Sequence, residues 1–230
     1  MQGKLITIEG TDCSGKETQS KLLEKRLNSI GKKCVRFDFP NYESPTGRII
    51  GGAYLGRPEI GPSFFKEGAV NVDPHVVCLY YAADRKYEMP EIEKYLNDDY
   101  YVILDRYTTS NMIHQAGKIQ DKNERKKFLD WLWDFEFNLY GLPIPSEVFF
   151  LNMPVEKSLE LIKNRENKFT HNQAKDIHES DTQHLIDAYN AACDVAKDYN
   201  WYEIKCIKDG TLRTIEDIHE EIYEEVKKHI

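Results

Sequence analysis

The stretch that decides the fold stands near the start of the chain, where residues 5–18 read Leu5-Ile6-Thr7-Ile8-Glu9-Gly10-Thr11-Asp12-Cys13-Ser14-Gly15-Lys16-Glu17-Thr18. Residues 5–8 are apolar or β-branched, which favours a strand, and helical spacing of apolar residues follows over residues 15–30. Between them lies a Gly-x-x-x-x-Gly-Lys loop, whose backbone N–H groups and following helix N-terminus favour a bound anion. The pattern predicts a P-loop that binds the phosphates of ATP, with Lys16 reaching the β- and γ-phosphates. Its predicted ATP-binding residues are Gly10, Thr11, Asp12, Cys13, Ser14, Gly15, Lys16, Glu17 and Thr18.

The P-loop departs from its usual pattern at one position. A Ser or Thr normally follows the lysine and holds Mg²⁺, but Glu17 stands there and Thr18 comes next. Either Thr18 takes over as a ligand, or Mg²⁺ is held mainly by nucleotide phosphates, water and acidic groups elsewhere. Asp105, which ends a later apolar run, suits a ligand that acts through water.

Strand and helix patterns alternate along the rest of the chain. Strands are predicted at residues 5–8, 34–39, 100–104, 147–151 and 201–207. Helices are predicted at residues 15–30, 46–55, 75–96, 123–140, 155–164, about 180–197 and 215–229, with a loop at 56–74. This order predicts an α/β fold, in which a parallel five-stranded sheet carries helices on both faces. Four polar clusters at the strand ends should converge, because ligands bind beyond the carboxyl ends of such strands.

Composition and charge exclude several classes of protein. The 230 residues are 40% hydrophobic, and the formal charge is 31 − 39 = −8, which argues against a protein that coats nucleic acid or an anionic membrane. No apolar stretch approaches the roughly 18 residues of a membrane-spanning helix. Five cysteines are widely spread without a Cys-x-x-Cys pair, which indicates a reducing compartment. We therefore expect one cytoplasmic domain over residues 1–230, with neither nucleic acid nor membrane as partner.

Four segments together resemble the thymidylate (dTMP) kinase family. Residues 8–19 resemble that family's E-G-x-D-x-x-G-K-x-T opening. The other three are Phe39-Pro40 after the second strand, Tyr81-Ala82-Ala83-Asp84-Arg85 for aromatic-x-A-x-R, and Asp105-Arg106-Tyr107 with Ser110-Asn111 for D-R-Y-x-x-S. They occur in the family's order over residues 5–115, and the later β-α pattern also fits. The resemblance implies the P-loop kinase fold, with a mobile lid at about residues 164–179.

The resemblance also implies an activity and its partners. Such an enzyme phosphorylates dTMP to dTDP with ATP and Mg²⁺ in deoxynucleotide biosynthesis, and the family is homodimeric. An aromatic-rich helix over residues 123–140, apolar on more than one face, fits a core that also permits a dimer interface.

The resemblance assigns the acceptor site residue by residue. Phe39 and Tyr81 would flank the thymine ring, with Pro40 beside them. Arg85 would reach a thymine carbonyl; the alternative is an ion pair with Asp84 or Glu88. The remaining implied substrate residues are Arg106 for the dTMP phosphate and Asn111 and Gln115 for base or sugar hydrogen bonds. His114 stands where some relatives have an aromatic residue that crowds the ribose 2′ position.

The implied catalytic residues are Lys16, Asp12, Arg106 and Arg165. Asp12 would line the gap between donor and acceptor near the metal. Some members carry a transition-state arginine in the P-loop, at the position of Cys13, and others carry it in an arginine-rich lid. The lid segment here holds a single arginine. The candidates for its cation are therefore Arg165, then Lys168, then Lys175.

Two other functions stay open from the sequence. A deoxynucleoside kinase, or another P-loop phosphotransferase, needs a carboxylate base for a neutral hydroxyl, and after the second strand none occurs before Glu43. A nucleotide-dependent switch protein of the GTPase type needs an Asn-Lys-x-Asp signature after a strand. The run there is Leu151-Asn152-Met153-Pro154, which lacks that signature.

Overall fold

A computed structural model describes residues 3–169 and 182–229, with only the backbone given for residues 164–169. Five strands form one sheet in the order β2-β3-β1-β4-β5, and every neighbouring pair is parallel. The strands are β1 (Lys4–Glu9), β2 (Cys34–Asp38), β3 (Tyr101–Asp105), β4 (Glu147–Asn152) and β5 (Tyr202–Lys205). The predicted parallel five-stranded sheet is confirmed.

Helices connect the strands and cover the sheet. The α-helices are α1 (Lys16–Ser29), α2 (Pro45–Ile49), α3 (Pro74–Asn97), α4 (Thr108–His114), α5 (Lys122–Trp133), α6 (Val155–Phe169), α7 (Thr182–Asp198) and α8 (Ile215–Lys227). Two π-helical segments, Ile50–Tyr54 and Asp134–Leu139, extend α2 and α5. Short 3-10 turns occur at Ala69–Asn71 and Ala116–Lys118.

The core lies on both faces of the sheet, because side chains alternate along each strand. Ile6 and Ile8 of β1 pack with residues of α1 and α8 on one face. Leu5, with Val102 and Leu104 of β3, packs with residues of α3 on the other. Burying both faces explains why the strands read as near-continuous apolar runs.

The strand register brings acidic residues to one edge of the sheet. Ile8 pairs with Asp105 across β1 and β3, which leaves Glu9 one residue further along. Asp38, the last residue of β2, also pairs with Asp105. The carboxyl ends of β1, β2 and β3 therefore meet beside the P-loop, as the polar clusters predicted.

Several elements differ from the sequence prediction. The strand predicted at residues 201–207 ends at Lys205, and Ile207–Lys208 then pairs antiparallel with Thr211–Leu212. Asp209 and Gly210 both have positive φ, at 50° and 74°, as a tight hairpin turn requires. The helix predicted at 123–140 is α-helical to Trp133 and π-helical from there, and α4 was not predicted.

The structure also bears on the predictions about membrane helices and cysteines. In the parts of the chain that the structure describes, no helix has the length and apolarity needed to cross a bilayer. All five cysteines are free. The predicted lid at 164–179 lies outside the residues whose side chains are described, and the division into one domain stays a prediction.

Candidate active site

The P-loop joins β1 to α1 and presents buried cationic and polar groups. Gly15 has a φ of 94° and directly precedes the helix, a conformation that glycine adopts without strain. Lys16 is buried, and its Nζ donates to the Thr11 carbonyl at 2.7 Å. Burial, together with the Arg106 charge, lowers the pKa of Lys16. An anion bound here would relieve both effects.

Two hydroxyls in the P-loop add hydrogen-bonding capacity. Thr11 Oγ1 and Ser14 Oγ are buried, and neither has a hydrogen-bond partner among the described residues. Buried polar groups are rarely left unpaired in proteins, so such a pair marks a place where a ligand or water completes the bonding. The predicted phosphate-binding role fits this arrangement.

Arg106 lies between the P-loop and a neighbouring pocket. Its Nη2 donates to Asp12 Oδ1 at 2.6 Å, and its Nη1 lies 3.1 Å from His114 Nε2. Burial opposes its charge, but Asp12, Glu9 and Asp105 outweigh burial and raise the pKa of Arg106. Burial raises the pKa of Asp12, but the nearby cations Arg106 and Lys16 outweigh burial and hold this pKa well below its usual range.

Glu9 is a buried carboxylate that the sequence analysis did not single out. It accepts hydrogen bonds from the Gly10 N–H at 2.9 Å, Thr109 Oγ1 at 2.8 Å and Ser110 Oγ at 2.7 Å. Its Oε1 also lies 4.0 Å from Arg106 Nη1. Glu9 thus joins the P-loop to the N-terminus of α4 and stabilises the charge of Arg106. The only signal in the sequence was its place in the resembled motif.

A cavity of about 110 Å³ opens beside Arg106. Every residue predicted to bind substrate lines it, namely Phe39, Pro40, Tyr81, Arg85, Arg106, Asn111 and Gln115. Asp12, which was predicted to bind ATP, also lines it. So do five residues that were not predicted as binding residues, namely Tyr42, Leu55, Tyr107, Ser110 and His114. The lining residues come from five parts of the chain, namely Asp12, residues 39–42, Leu55, residues 81–85 and residues 106–115.

The aromatic walls of this cavity are fixed by neighbouring rings. Phe39 is 5% exposed, and its ring lies 6.0 Å from that of Tyr107. Tyr81 contacts Tyr54 edge to face, with ring centroids 6.0 Å apart. Phe39 is therefore both a core aromatic and a wall of the cavity.

Arg85 makes a different ion pair from the alternatives considered in the sequence. Its Nε donates to Glu136 Oε2 at 3.0 Å, and its Nη2 donates to Glu136 Oε1. The expected alternative partners, Asp84 and Glu88, were wrong. A carboxylate about fifty residues away cannot be recognised as a partner from helical spacing, and in the sequence Glu136 is surrounded by aromatic residues.

Asp84 instead holds the loop that walls the cavity. Its carboxylate accepts from the Asn41 N–H at 2.9 Å, Ser44 Oγ at 2.7 Å and Thr46 Oγ1 at 2.8 Å. The loop folds back closely on itself, because a Cβ at Gly47 would lie 1.8 Å from the Asn41 carbonyl oxygen. Three donors from one short loop thus converge on a single buried charge.

Asn111 and Gln115 lie four residues apart at the C-terminal part of α4, which places them on one face. Both are 2% exposed. Asn111 Nδ2 and Gln115 Oε1 have no hydrogen-bond partner in the described part of the chain. An unpaired donor and an unpaired acceptor in one cavity fit the predicted recognition of a base or sugar.

The predicted metal ligands differ in their surroundings. Asp105 is buried beside the P-loop, 3.7 Å from Arg36 Nη1. Burial raises the pKa of Asp105 against the charges of Lys16 and Arg106. Thr18 and Glu17 are exposed, and Glu17 pairs with Lys21.

Among the side chains that the structure describes, residues 3–163 and 182–229, no group of three or more His, Cys, Asp or Glu forms a metal site. Mg²⁺ commonly uses one or two carboxylates, with phosphates and water as its other ligands. Asp105 fits that arrangement, so the residues present are compatible with Mg²⁺ carried by a nucleotide. Both Asp105 and Thr18 stay predictions as ligands.

Comparisons with known proteins address the family and the fold. The thymidylate kinase family model matches residues 8–222. The chain is 31% identical over 228 residues to the thymidylate kinase of Plasmodium falciparum (isolate 3D7), covering 99% of this chain and 91% of the relative. The chain belongs to the thymidylate kinase family. The family resemblance carried by residues 5–115 is therefore confirmed and extends almost to the C-terminus.

Two further matches agree with this assignment to the thymidylate kinase family. A probable thymidylate kinase of Methanocaldococcus jannaschii is 29% identical over 217 residues, with 94% of this chain and 92% of the relative covered. The solved structure of the Candida albicans thymidylate kinase superposes with a TM-score of 0.71 at 22% identity, covering 99% of this chain and 92% of that one. The latter supports the fold.

The predicted lid falls on residues whose side chains the structure does not describe. The side chains of Arg165, Lys168 and Lys175 lie outside the described residues. Cys13, at the position where some family members have arginine, packs against a cluster of α6 and α7 residues that includes Val155. The P-loop therefore contacts α6, the helix that leads toward the predicted lid.

Proposed function

We propose that this member of the thymidylate kinase family transfers the γ-phosphoryl group of ATP to the 5′-phosphate of dTMP, giving ADP and dTDP. The observation that carries the proposal is the position of Arg106, which contacts Asp12 of the P-loop and lines the neighbouring cavity. One side chain thus connects a phosphate-binding loop with a pocket for a second ligand. Two substrates held this closely suit direct transfer between phosphates.

The P-loop would hold the donor. Lys16 would exchange the Thr11 carbonyl for the β- and γ-phosphate oxygens, and Thr11 and Ser14 would offer their unpaired hydroxyls. Bound Mg²⁺ would supply charge neutralisation and orientation at these phosphates. Asp105 would reach the ion through water, with Thr18 as the alternative ligand.

The cavity would hold the acceptor. Phe39 and Tyr81 would flank the thymine ring, and Arg106 would bind its phosphate. Asn111 and Gln115 would complete hydrogen bonds to base or sugar. The aromatic walls suit a flat base, and the unpaired donor and acceptor of α4 suit its polar edge.

Catalysis needs positioning and charge neutralisation. An oxygen of the dTMP phosphate attacks the γ-phosphorus, and the bond to the β-phosphate oxygen breaks as ADP leaves. Lys16 and Arg106 would stabilise the negative charge around the transferring group. Arg165, ahead of Lys168 and Lys175, would add a cation when the lid closes and excludes water.

Two further proposals concern the state of the protein. A homodimer is supported by the exposed apolar side chains of α3, where Leu79 is 49% exposed and Tyr87 is 54% exposed. A cytoplasmic location is supported by the free thiols, which suit a reducing compartment. Sedimentation velocity at several protein concentrations tests the first, and a monomer throughout would contradict it.

A steady-state assay with a panel of acceptors tests the function. ADP release with ATP and Mg²⁺ should depend on dTMP, while thymidine, which lacks the phosphate, should be inactive. Thymidine phosphorylation would favour the deoxynucleoside kinase, and ADP release without an acceptor would favour a nucleotide switch. Phosphorylation of dGMP or AMP as fast as dTMP would overturn the proposed acceptor.

A further inference from the structure

Glu136 is a fully buried carboxylate that the proposed chemistry does not use. It is 0% exposed and lies in the π-helical segment Asp134–Leu139, between Phe135 and Phe137. Transfer of an isolated carboxylate into such surroundings is strongly unfavourable unless the charge is paired. Apolar residues of similar volume are often as stabilising as a buried ion pair, so the presence of this carboxylate calls for a role beyond stability.

The pairing between Glu136 and Arg85 fixes the orientation of the guanidinium. Both carboxylate oxygens are taken, one by Nε and one by Nη2 of Arg85. A two-point contact of this kind defines the plane as well as the position of the guanidinium. Arg85 itself is 1% exposed and lines the cavity, so it has little freedom to turn.

The third nitrogen of Arg85 remains for a ligand. Nη1 donates to the Tyr107 carbonyl at 3.4 Å, which is long for an N–H···O hydrogen bond. Nη1 carries two hydrogens, so this contact leaves hydrogen-bonding capacity on a side chain that lines the cavity. Tyr107 also lines the cavity.

We propose that Glu136 is a positioning residue for base selection, because it holds Arg85 with Nη1 directed at the acceptor cavity. The inference rests on the proposed function. Arginine can only donate hydrogen bonds, so an oriented Nη1 favours a base that has a carbonyl oxygen at its buried edge. A base that presents an amino group there meets donor with donor and leaves both unpaired, which disfavours its binding. The expected discrimination is between dTMP and dCMP.

A purely structural role for this ion pair makes a different prediction. In that case Glu136 joins α3 to the π-helical segment, and its loss lowers stability without changing which base binds. Met89 offers a matched control, since it lies one turn beyond Arg85 on α3 and is 1% exposed in the same core cluster as Phe137. Met89 does not line the cavity described above, so Met89→Ala should destabilise this interface while leaving both Arg85 and Glu136 in place.

The experiment measures dissociation constants of dTMP and dCMP by calorimetry, without ATP, for the wild type, Glu136→Gln, Glu136→Asp and Met89→Ala. Glu136→Gln should reduce the preference for dTMP about tenfold to a hundredfold, the loss expected for one charge-assisted hydrogen bond. Glu136→Asp, which keeps the charge but shortens the side chain, should give an intermediate preference. Met89→Ala should lower the melting temperature and keep the preference within about twofold of the wild type.

Several outcomes would overturn the inference. A folded Glu136→Gln protein with the wild-type preference would do so, and so would an equal loss of preference in Met89→Ala. If Glu136→Gln fails to fold, an unchanged preference in Glu136→Asp would decide against it. If the wild type binds dTMP and dCMP equally, the proposal that dTMP is the acceptor fails too. That outcome is visible before any variant is measured.

Discussion

The P-loop and the acceptor cavity meet at Arg106, but they are held in different ways. In the P-loop, Lys16 bonds to a carbonyl of its own loop, and two buried hydroxyls lack partners among the described residues. Behind the cavity wall, the buried carboxylates of Asp84 and Glu136 join segments more than thirty residues apart. Local backbone geometry therefore forms the proposed donor site, whereas tertiary ion pairs and hydrogen bonds form the proposed acceptor site.

This difference predicts two kinds of variant. Changes in the P-loop should affect the rate of transfer and leave the rest of the molecule intact. Changes around the cavity should alter which acceptor binds, and how well, together with stability. The four predictions below test that division, in order of decreasing effect.

Replacement of Lys16 gives the largest expected effect. Lys16→Ala should lower kcat by about two to four orders of magnitude, because it removes a preorganised charge at the transferring phosphoryl group. The melting temperature should change little. Lys21→Ala on the same helix, where Lys21 is exposed and pairs with Glu17, is the control and should keep wild-type kcat. Near-wild-type turnover in folded Lys16→Ala would contradict the P-loop assignment.

Arg106 contacts both regions, so its loss should affect every acceptor. Arg106→Ala should weaken all nucleoside monophosphates alike by about tenfold to a hundredfold, as for one charged hydrogen bond. Arg106 also has a φ of 66°, which is unfavourable for residues other than glycine. Arg106→Gly should therefore be more stable than Arg106→Ala by up to about 1 kcal/mol, while binding acceptors equally weakly. Denaturant titration and a binding panel measure both effects, and a base-selective loss would argue against phosphate binding.

Arg85 should affect the choice of base. Arg85→Leu should reduce the preference for dTMP over dCMP and dGMP by about one to two orders of magnitude, with a smaller effect on kcat. It also leaves the Glu136 carboxylate buried without its partner, so stability should fall by about 3–5 kcal/mol. Steady-state assays at fixed ATP measure the preference. If Arg85→Leu weakens all acceptors equally, we would infer that Asn111 and Gln115 recognise the base instead.

Asp84 should give the smallest effect on activity. Asp84→Asn removes the charge but keeps one oxygen acceptor for the loop donors, so we expect KM for dTMP to rise about threefold to tenfold. The value of kcat should stay near that of the wild type. Glu91→Gln, at an exposed position of the same helix, serves as the control. A large fall in kcat with KM unchanged would place the loop in the chemical step rather than in binding.

Much of the fold could be predicted because its signals are local. Buried strands such as β3 read as continuous apolar runs, and the P-loop glycines stand at fixed spacing between a strand and a helix. Helix α4 could not be predicted, since Thr108, Thr109 and Ser110 are weak helix formers. Glu9 stabilises this helix, because its carboxylate accepts hydrogen bonds from the hydroxyls of Thr109 and Ser110.

The candidate site shows the same limit. Every predicted substrate residue lines the cavity, and all of them except Gln115 came from a short motif. Glu136, Asp84 and Glu9 were not recognised as parts of the site, since the burial and pairing of a carboxylate depend on segments distant in sequence. Nothing in the sequence distinguishes Glu136 from an ordinary solvated helix residue.

The close turn at Gly47 has a consequence for mutational tolerance. In a saturation library over residues 40–47, most positions should accept some replacements. Position 47 should accept none, although a glycine has no side chain to touch a nucleotide. A methyl group there meets backbone 1.8 Å away, and backbone cannot move aside as a flexible side chain can. Even alanine would force the turn open. The screen should therefore show only glycine at position 47, although this residue takes no part in the chemistry.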